Sequence, residues 1–184
     1  MKKVILISID GMRPDGLKAC GNDYLNELMK TSSYTFTAQT IMPSVTLPCH
    51  MSLFHSALPE RHGTVMYIYE KPEKPINGLF EVLKAAGKKS TMYYGWEPLR
   101  DVARPESLIS AEYVNAYAFE HTDGILTDRA LNFIELAHPD FVFLYMVETD
   151  EKGGHDCGWM TDTYLDYINH AISNVKRVIQ TVGD

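Results

Sequence analysis

The sequence predicts an α/β domain of three layers, in which a mostly parallel sheet is covered by helices on both faces. Two observations carry that expectation. Apolar runs of strand length, Val4-Ile5-Leu6-Ile7-Ser8-Ile9 and Phe141-Val142-Phe143-Leu144-Tyr145-Met146-Val147, alternate with segments of helical periodicity. Both runs end in acids, Asp10 in the first and Glu148-Thr149-Asp150 in the second, at the strand edge where open α/β sheets bind their ligands. At 184 residues, 45% hydrophobic and 22% charged, the chain has apolar material for one domain with a sizeable core, spanning 1–184.

Each element follows from local pattern. The first strand covers 4–9, and Gly11-Met12-Arg13-Pro14-Asp15 reads as the turn after it. Leu25, Leu28 and Met29 stand at helical spacing in a helix over 22–30, followed by a Thr-rich extended stretch from Tyr34 to Ile41. A second helix starts near Thr46. After the Pro-rich passage Tyr67–Pro75, Asn77 is expected to cap a helix carrying Leu79, Phe80, Val82 and Leu83, which Gly87 ends. Lys89–Tyr94 returns as a strand. Pro98 and Pro105 argue for loops from Gly95 to Phe119, around a short strand at Tyr113–Tyr117. Thr122 or Asp123 caps a helix to Ala137, the strand 141–147 follows, and Thr161-Asp162 opens a last helix through Ile179.

Composition narrows the function. A net charge of -7 with no Lys/Arg cluster argues against a nucleic-acid polymer or an anionic membrane as partner, and leaves room for a small anion held locally. The run Met1-Lys2-Lys3-Val4-Ile5-Leu6-Ile7 is too short for a secretory signal and meets Asp10 with no small-residue cleavage site, and no apolar stretch reaches the length of a membrane span. Cys20, Cys49 and Cys157 are widely spaced without a C-x-x-C pair, which fits reduced thiols in a cytoplasmic protein.

The chemistry concentrates in Pro43-Ser44-Val45-Thr46-Leu47-Pro48-Cys49-His50, where a loop runs into a helix. A hydroxyl at that helix start faces unsatisfied N–H groups and the positive dipole end, which favour an anion or a developing alkoxide. The ordinary reading is a helix cap. Pro48 is tolerated in the first turn.

Asp10, Thr46, Asp150 and His155, in that order, resemble the alkaline phosphatase superfamily, and within it the type I phosphodiesterase/nucleotide pyrophosphatase family. That family opens with an apolar strand into D-G-x-R, matched by Asp10-Gly11-Met12-Arg13. Its nucleophile lies in T-x-P-N-H followed by P-E-x-H-G, matched by Thr46-Leu47-Pro48-Cys49-His50 and Pro59-Glu60-Arg61-His62-Gly63. A D-x-x-G-H-x-x-G segment after a later strand corresponds approximately to Asp150 through Gly158. The combination is far more specific than any single motif.

The resemblance implies an alkaline phosphatase-like fold, and two divalent metal ions with Asp10 and Thr46 on one and Asp150 and His155 on its neighbour. Zinc suits mixed oxygen and imidazole ligands, and manganese fits the same ligand types. It further implies Thr46 as nucleophile, its hydroxyl pKa lowered by the metal, in hydrolysis of a phosphate ester through a phosphothreonine intermediate. The partner would be a small phosphorylated substrate, with a nucleotide as one candidate.

Four departures qualify the match. Asp150 to His155 is one residue longer than D-x-x-x-H, so either the loop bulges at Gly153-Gly154 or Glu151 replaces Asp150; the bulge is favoured. Cys49 stands in place of Asn, as a packing residue. The phosphate-binding Asn of nucleotide pyrophosphatases falls near Tyr67, whose hydroxyl can donate one hydrogen bond. The family's later D-H-G strand and later His lie beyond Val182-Gly183-Asp184, so the chain is expected to be the N-terminal portion of the fold, weakly active or inactive alone and inclined to self-associate through its uncovered edge.

The remaining candidates have plainer readings. His50 packs and hydrogen-bonds the site, and its spacing from His55 puts the two on different helix faces. His62 stabilises the turn before Gly63, while His121, His138 and His170 are surface or cap residues. Trp159 either walls the pocket or sits in the core. Alternatives to a phosphodiesterase are a non-catalytic module of the same fold and a phosphonate or phosphomonoester hydrolase. A sulfatase is disfavoured because no Arg follows Thr46 by four residues, and a mutase because the chain has no room for a large inserted domain.

Overall fold

The computed structural model describes residues 3–183. Its sheet has four strands, β1 (Val4–Ile9), β2 (Ser90–Tyr94), β3 (Ser110–Tyr113) and β4 (Phe141–Met146), in the order β1-β4-β2-β3 with every neighbouring pair parallel. The helices are α1 (Pro14–Ala19), α2 (Asp23–Thr31), α3 (Thr46–His55), α4 (Pro59–His62), α5 (Leu79–Ala85), α6 (Thr122–Ala137) and α7 (Asp162–Val182).

Strand β4 shows why the sheet has three layers. All six of its residues are buried, because alternate side chains leave opposite faces and both faces are covered. Phe141, Phe143 and Tyr145 join Leu47, Met51, Phe54 and Phe80 from α3 and α5 in one core. Val142, Leu144 and Met146 join Leu126, Ala130, Ile134 and Val178 from α6 and α7 in the other. The expected layering is therefore present, with β1 and β4 side by side and their C-terminal ends adjacent.

Several local expectations are corrected. The strand expected at 113–117 lies at Ser110–Tyr113, where it pairs with Thr91–Tyr94 on β2. Asn77 does not cap α5: Gly78 holds the N-cap position, its N–H donating to Glu81 at 2.6 Å, while Asn77 accepts from Arg104 at 3.2 Å. His121, in the left-handed region at φ 58, precedes α6 in place of Thr122 or Asp123. The segment after Gly11 that reads as a turn becomes α1, with Pro14 in the first-turn position that tolerates it. That short helix sits tight on α7, since a Cβ on Gly16 would lie 2.8 Å from Ile168. Thr161 caps α7 as expected, accepting from the Tyr164 N–H at 3.2 Å, but the helix runs to Val182.

Strand β1 is an edge of the sheet, and beside it Ile5, Ile7, Val175, Val178 and Ile179 line an apolar groove of about 790 Å³. Among the described residues, no helix is long and apolar enough to cross a membrane.

Candidate active site

The adjacent ends of β1 and β4 meet the first turn of α3. Asp10 continues the ladder, its N–H donating to Met146 O at 2.9 Å, and its side chain turns toward α3. Thr46 opens that helix behind Val45, and its hydroxyl is not a cap: it donates to Asp10 Oδ2 at 3.0 Å. The cap reading is thus set aside by where the hydroxyl goes. The other Asp10 oxygen accepts the Gly11 N–H at 3.0 Å.

The second pair comes from a π-helical segment, Thr149–Asp156. In such a turn the main chain bonds from i to i+5, so residues five apart come level, as residues four apart do in an α-helix. The extra residue between Asp150 and His155 is absorbed in that way, and His155 Nε2 lies 3.6 Å from Asp150 Oδ2. The expected bulge at Gly153-Gly154 is one widened turn, with both glycines buried; a Cβ on Gly154 would lie 2.3 Å from the Trp159 ring. Glu151 diverges from this pair, accepting from the Tyr117 hydroxyl at 2.6 Å.

These four expected residues share one open cleft of about 1120 Å³, whose walls include Tyr67, Trp96, Tyr117 and Trp159. Trp159 therefore walls the cleft, edge-on to His155 at 5.6 Å. Tyr67 lies edge-on to Trp96 at 5.9 Å. Cys49 lies outside the lining, its sulfur accepting from Thr40 at 3.0 Å, as suits a packing residue.

Electrostatics favour a cation between the strand ends. Burial and then the Asp10 charge push the Asp150 carboxyl up to about 6, against the opposing pull of His155. The backbones are equally close, since a Cβ on Gly11 would lie 2.6 Å from Asp150 Cα. Among the described residues no group of three or more His, Cys, Asp or Glu side chains comes together; the donors come as two pairs, Asp10 with Thr46 and Asp150 with His155. Hard oxygens with one imidazole are donor types that suit zinc or manganese, and these two pairs are the residues that could hold such ions.

The histidines behave as expected. His50 donates from Nδ1 to Thr46 O at 2.8 Å and accepts from the Ser8 hydroxyl at 3.2 Å, while burial pushes its pKa down. His62 is fully buried, accepts the Thr64 N–H at 3.2 Å and donates to Ser52 at 2.9 Å.

Sequence reasoning missed the groups that hold these residues. Tyr145 donates to Asp10 Oδ2 at 2.6 Å, and its burial beside that carboxylate raises its own pKa well above the ordinary range. Its place in a buried strand run reads only as core. Asp123 and Glu148 clamp the end of β4 to α6: Asp123 accepts Val147 N–H at 2.9 Å and Glu148 N–H at 3.1 Å, and Glu148 accepts Thr122 N–H at 2.8 Å. Asp123, expected as a candidate cap, is instead the second residue of α6 and turns to β4.

The clamp has a pH signature. Burial, then the Glu148 charge, push the Asp123 carboxyl up to about 7, although its two N–H donors pull the other way. The folded chain holds that proton far above the ordinary 3.8, so folding binds a proton. This contribution to stability is complete below the unfolded pKa and fades as pH rises through the folded one. Asp123→Asn removes it, so urea midpoints measured from about pH 5 to about pH 8 should fall more for the parent chain than for the variant. Parallel slopes would refute the assignment.

A parallel sheet whose adjacent strand ends place two acids in one cleft with the first turn of a helix defines an α/β protein with a ligand site at the carboxyl ends of its strands. Within that class the chain belongs to the type I phosphodiesterase / nucleotide pyrophosphatase family, whose sequence profile matches residues 4–184. No curated protein matches by sequence. Among solved structures, murine ectonucleotide pyrophosphatase/phosphodiesterase 5, an inactive threonine-to-alanine variant in complex with AMP, is similar with a TM-score of 0.79 at 18% identity, over 100% of this chain and 53% of that one. The human counterpart gives 0.77 at 19% identity, over 98% and 53%. Phosphonoacetate hydrolase from Sinorhizobium meliloti, in complex with phosphonoformate, gives 0.73 at 14%, over 98% and 54%. The chain therefore spans about half the length of these similar structures.

Proposed function

We propose that this cleft is a metal-dependent phosphoryl-transfer site that hydrolyses a small phosphate ester of the phosphodiester or nucleotide pyrophosphate type, with Thr46 as nucleophile. The observation that carries the reading is the Thr46 hydroxyl turned from its helix to a strand-end carboxylate, Asp10, at 3.0 Å. Family membership supports the ester class, and the AMP and phosphonoformate held by the similar structures support a small phosphorylated ligand. The free cysteines Cys20, Cys49 and Cys157 favour a reducing, cytoplasmic setting.

In this reading Asp10 and Thr46 hold one divalent ion and Asp150 and His155 its neighbour, with zinc preferred and manganese an alternative. Such ions lower the pKa of a bound hydroxyl or water and polarise the phosphoryl oxygens. Asp10 Oδ2 accepts the Thr46 proton's hydrogen bond and orients Oγ1 toward the cleft. The α3 N-terminus adds unsatisfied N–H groups beside that oxygen, suited to negative charge. His50, tied to the Thr46 carbonyl at 2.8 Å, fixes the first turn while the side chain reacts. Tyr67, Trp96, Tyr117 and Trp159 offer flat apolar walls for the group esterified to the phosphate. With two protein donors for each ion against the three or four of a stable site, turnover by this chain alone should be slow.

The test is hydrolysis of a chromogenic phosphodiester and the matching phosphomonoester by chelator-stripped protein, before and after addition of zinc or manganese. Turnover restored by metal, and faster on the diester, is expected. Metal uptake without turnover of either ester would make the chain a binding module.

A further inference from the structure

Tyr145 lies inside the cleft wall. It is 1% exposed, and in the β1–β4 register it stands opposite Ser8. Its hydroxyl and that of Thr46 converge on the same oxygen, Asp10 Oδ2, at 2.6 and 3.0 Å. The circuit closes behind them. His50 packs edge-on against the Tyr145 ring at 5.3 Å, donates to the Thr46 carbonyl at 2.8 Å and accepts from Ser8 at 3.2 Å. β1, β4 and α3 are thus joined through one carboxylate oxygen.

We propose that Tyr145 is a positioning residue for the Asp10–Thr46 pair, its hydroxyl fixing the rotation of the Asp10 carboxylate so that Oδ2 stays with Thr46. The inference rests on the metal-dependent reading of the cleft. A carboxylate held only by the Gly11 N–H and Thr46 loses one of its two donors whenever Thr46 gives up its proton, and is then free to turn. Tyr145 supplies a second hydroxyl donor that does not leave, at a length typical of charge-assisted O–H···O⁻ bonds. Groups that orient a metal ligand in this way change affinity for the ion as well as rate.

The experiment measures zinc alone, by calorimetry, on the parent chain, on Tyr145→Phe and on Tyr93→Phe. Tyr93 is fully buried on β2 and does not line the cleft, so Tyr93→Phe controls for removing a buried tyrosine oxygen remote from the site. Tyr145→Phe keeps the ring against His50 and should weaken zinc binding about tenfold or more, with Tyr93→Phe close to the parent. At saturating metal the same variant should lower kcat on a phosphodiester and leave KM within about twofold, the mark of an effect on reacting geometry rather than ester binding. Circular dichroism and the thermal midpoint establish that each variant is folded. Equal zinc affinity in the parent and Tyr145→Phe, or equal weakening in both variants, overturns this inference and leaves the proposed function standing. A parent chain that takes up no zinc overturns the metal reading and this inference together.

Discussion

Thr46→Ala should reduce kcat on a phosphodiester by about 10³-fold or more at saturating metal, because a nucleophile's removal leaves only the binding and electrostatic parts of the site. The same change should do little to the fold. Thr46 sits at the first position of α3, where alanine is a good helix residue, and its hydroxyl bonds Asp10 rather than the helix. Losing that bond leaves Asp10 with Tyr145 and the Gly11 N–H, so the cost in stability should be about 1 kcal/mol. Rate and stability therefore separate at one residue. Thr46→Ser keeps the hydroxyl and should retain measurable turnover. The assay is initial rate against metal concentration, with a urea midpoint on the same sample; an alanine variant that turns the ester over as the parent does removes Thr46 from the chemistry.

Gly11→Ala should be the most damaging small substitution near the cleft. Gly11 has φ +65, a left-handed conformation that costs a side-chain-bearing residue about 1–2 kcal/mol. Its Cβ would also fall 2.6 Å from Asp150 Cα and 2.8 Å from Asp150 Oδ1. Backbone cannot swing aside as a flexible side chain can, so the strand ends must part, at a further cost of about 1–3 kcal/mol. Gly21 supplies the comparison, with φ +66 and nothing within 4 Å of the added carbon. Gly21→Ala should therefore show the conformational cost alone. Urea midpoints of the two variants give the difference, and zinc affinity should drop only in Gly11→Ala, where Asp150 moves away from Asp10. Equal midpoints would mean that the two acids have room to separate without loss.

How much of this was legible in the sequence depends on whether the signal is local. Strands β1 and β4 read correctly because a run of six or seven mostly apolar residues marks a strand, although only β4 is buried on both faces while β1, at the sheet edge, stays half-exposed, and α7 reads correctly because Thr161 caps it and its apolar positions recur at helical spacing. Motif order placed Asp10 with Thr46, and in the fold their side chains meet at 3.0 Å. Helix α1 was illegible because Gly11, Pro14 and Gly16 all read as turn, and only the Tyr164 and Ile168 surface of α7 shows why Gly16 is helical. Strand β3 was misplaced because four half-exposed residues carry no strong period, and their position is set by the partner strand, Thr91 pairing with Ser110. Tyr145 and Asp123 were missed for a related reason: each looks like an ordinary member of its own element, and its role exists only across the sheet.

The widened turn at Thr149–Asp156 bears on how relatives of this chain are compared. Placing Asp150 and His155 in the same columns as a D-x-x-x-H segment requires a one-residue gap between them, at the residue that the π-helical turn accommodates. A matching procedure that penalises gaps will instead slide one column and pair the aspartate of a relative with Glu151, the residue here turned to Tyr117. Homologues with either spacing would then be sorted into separate groups on a difference that main-chain hydrogen bonding has already absorbed. Superposition, rather than counting residues between motifs, is the sound basis for transferring roles across this segment.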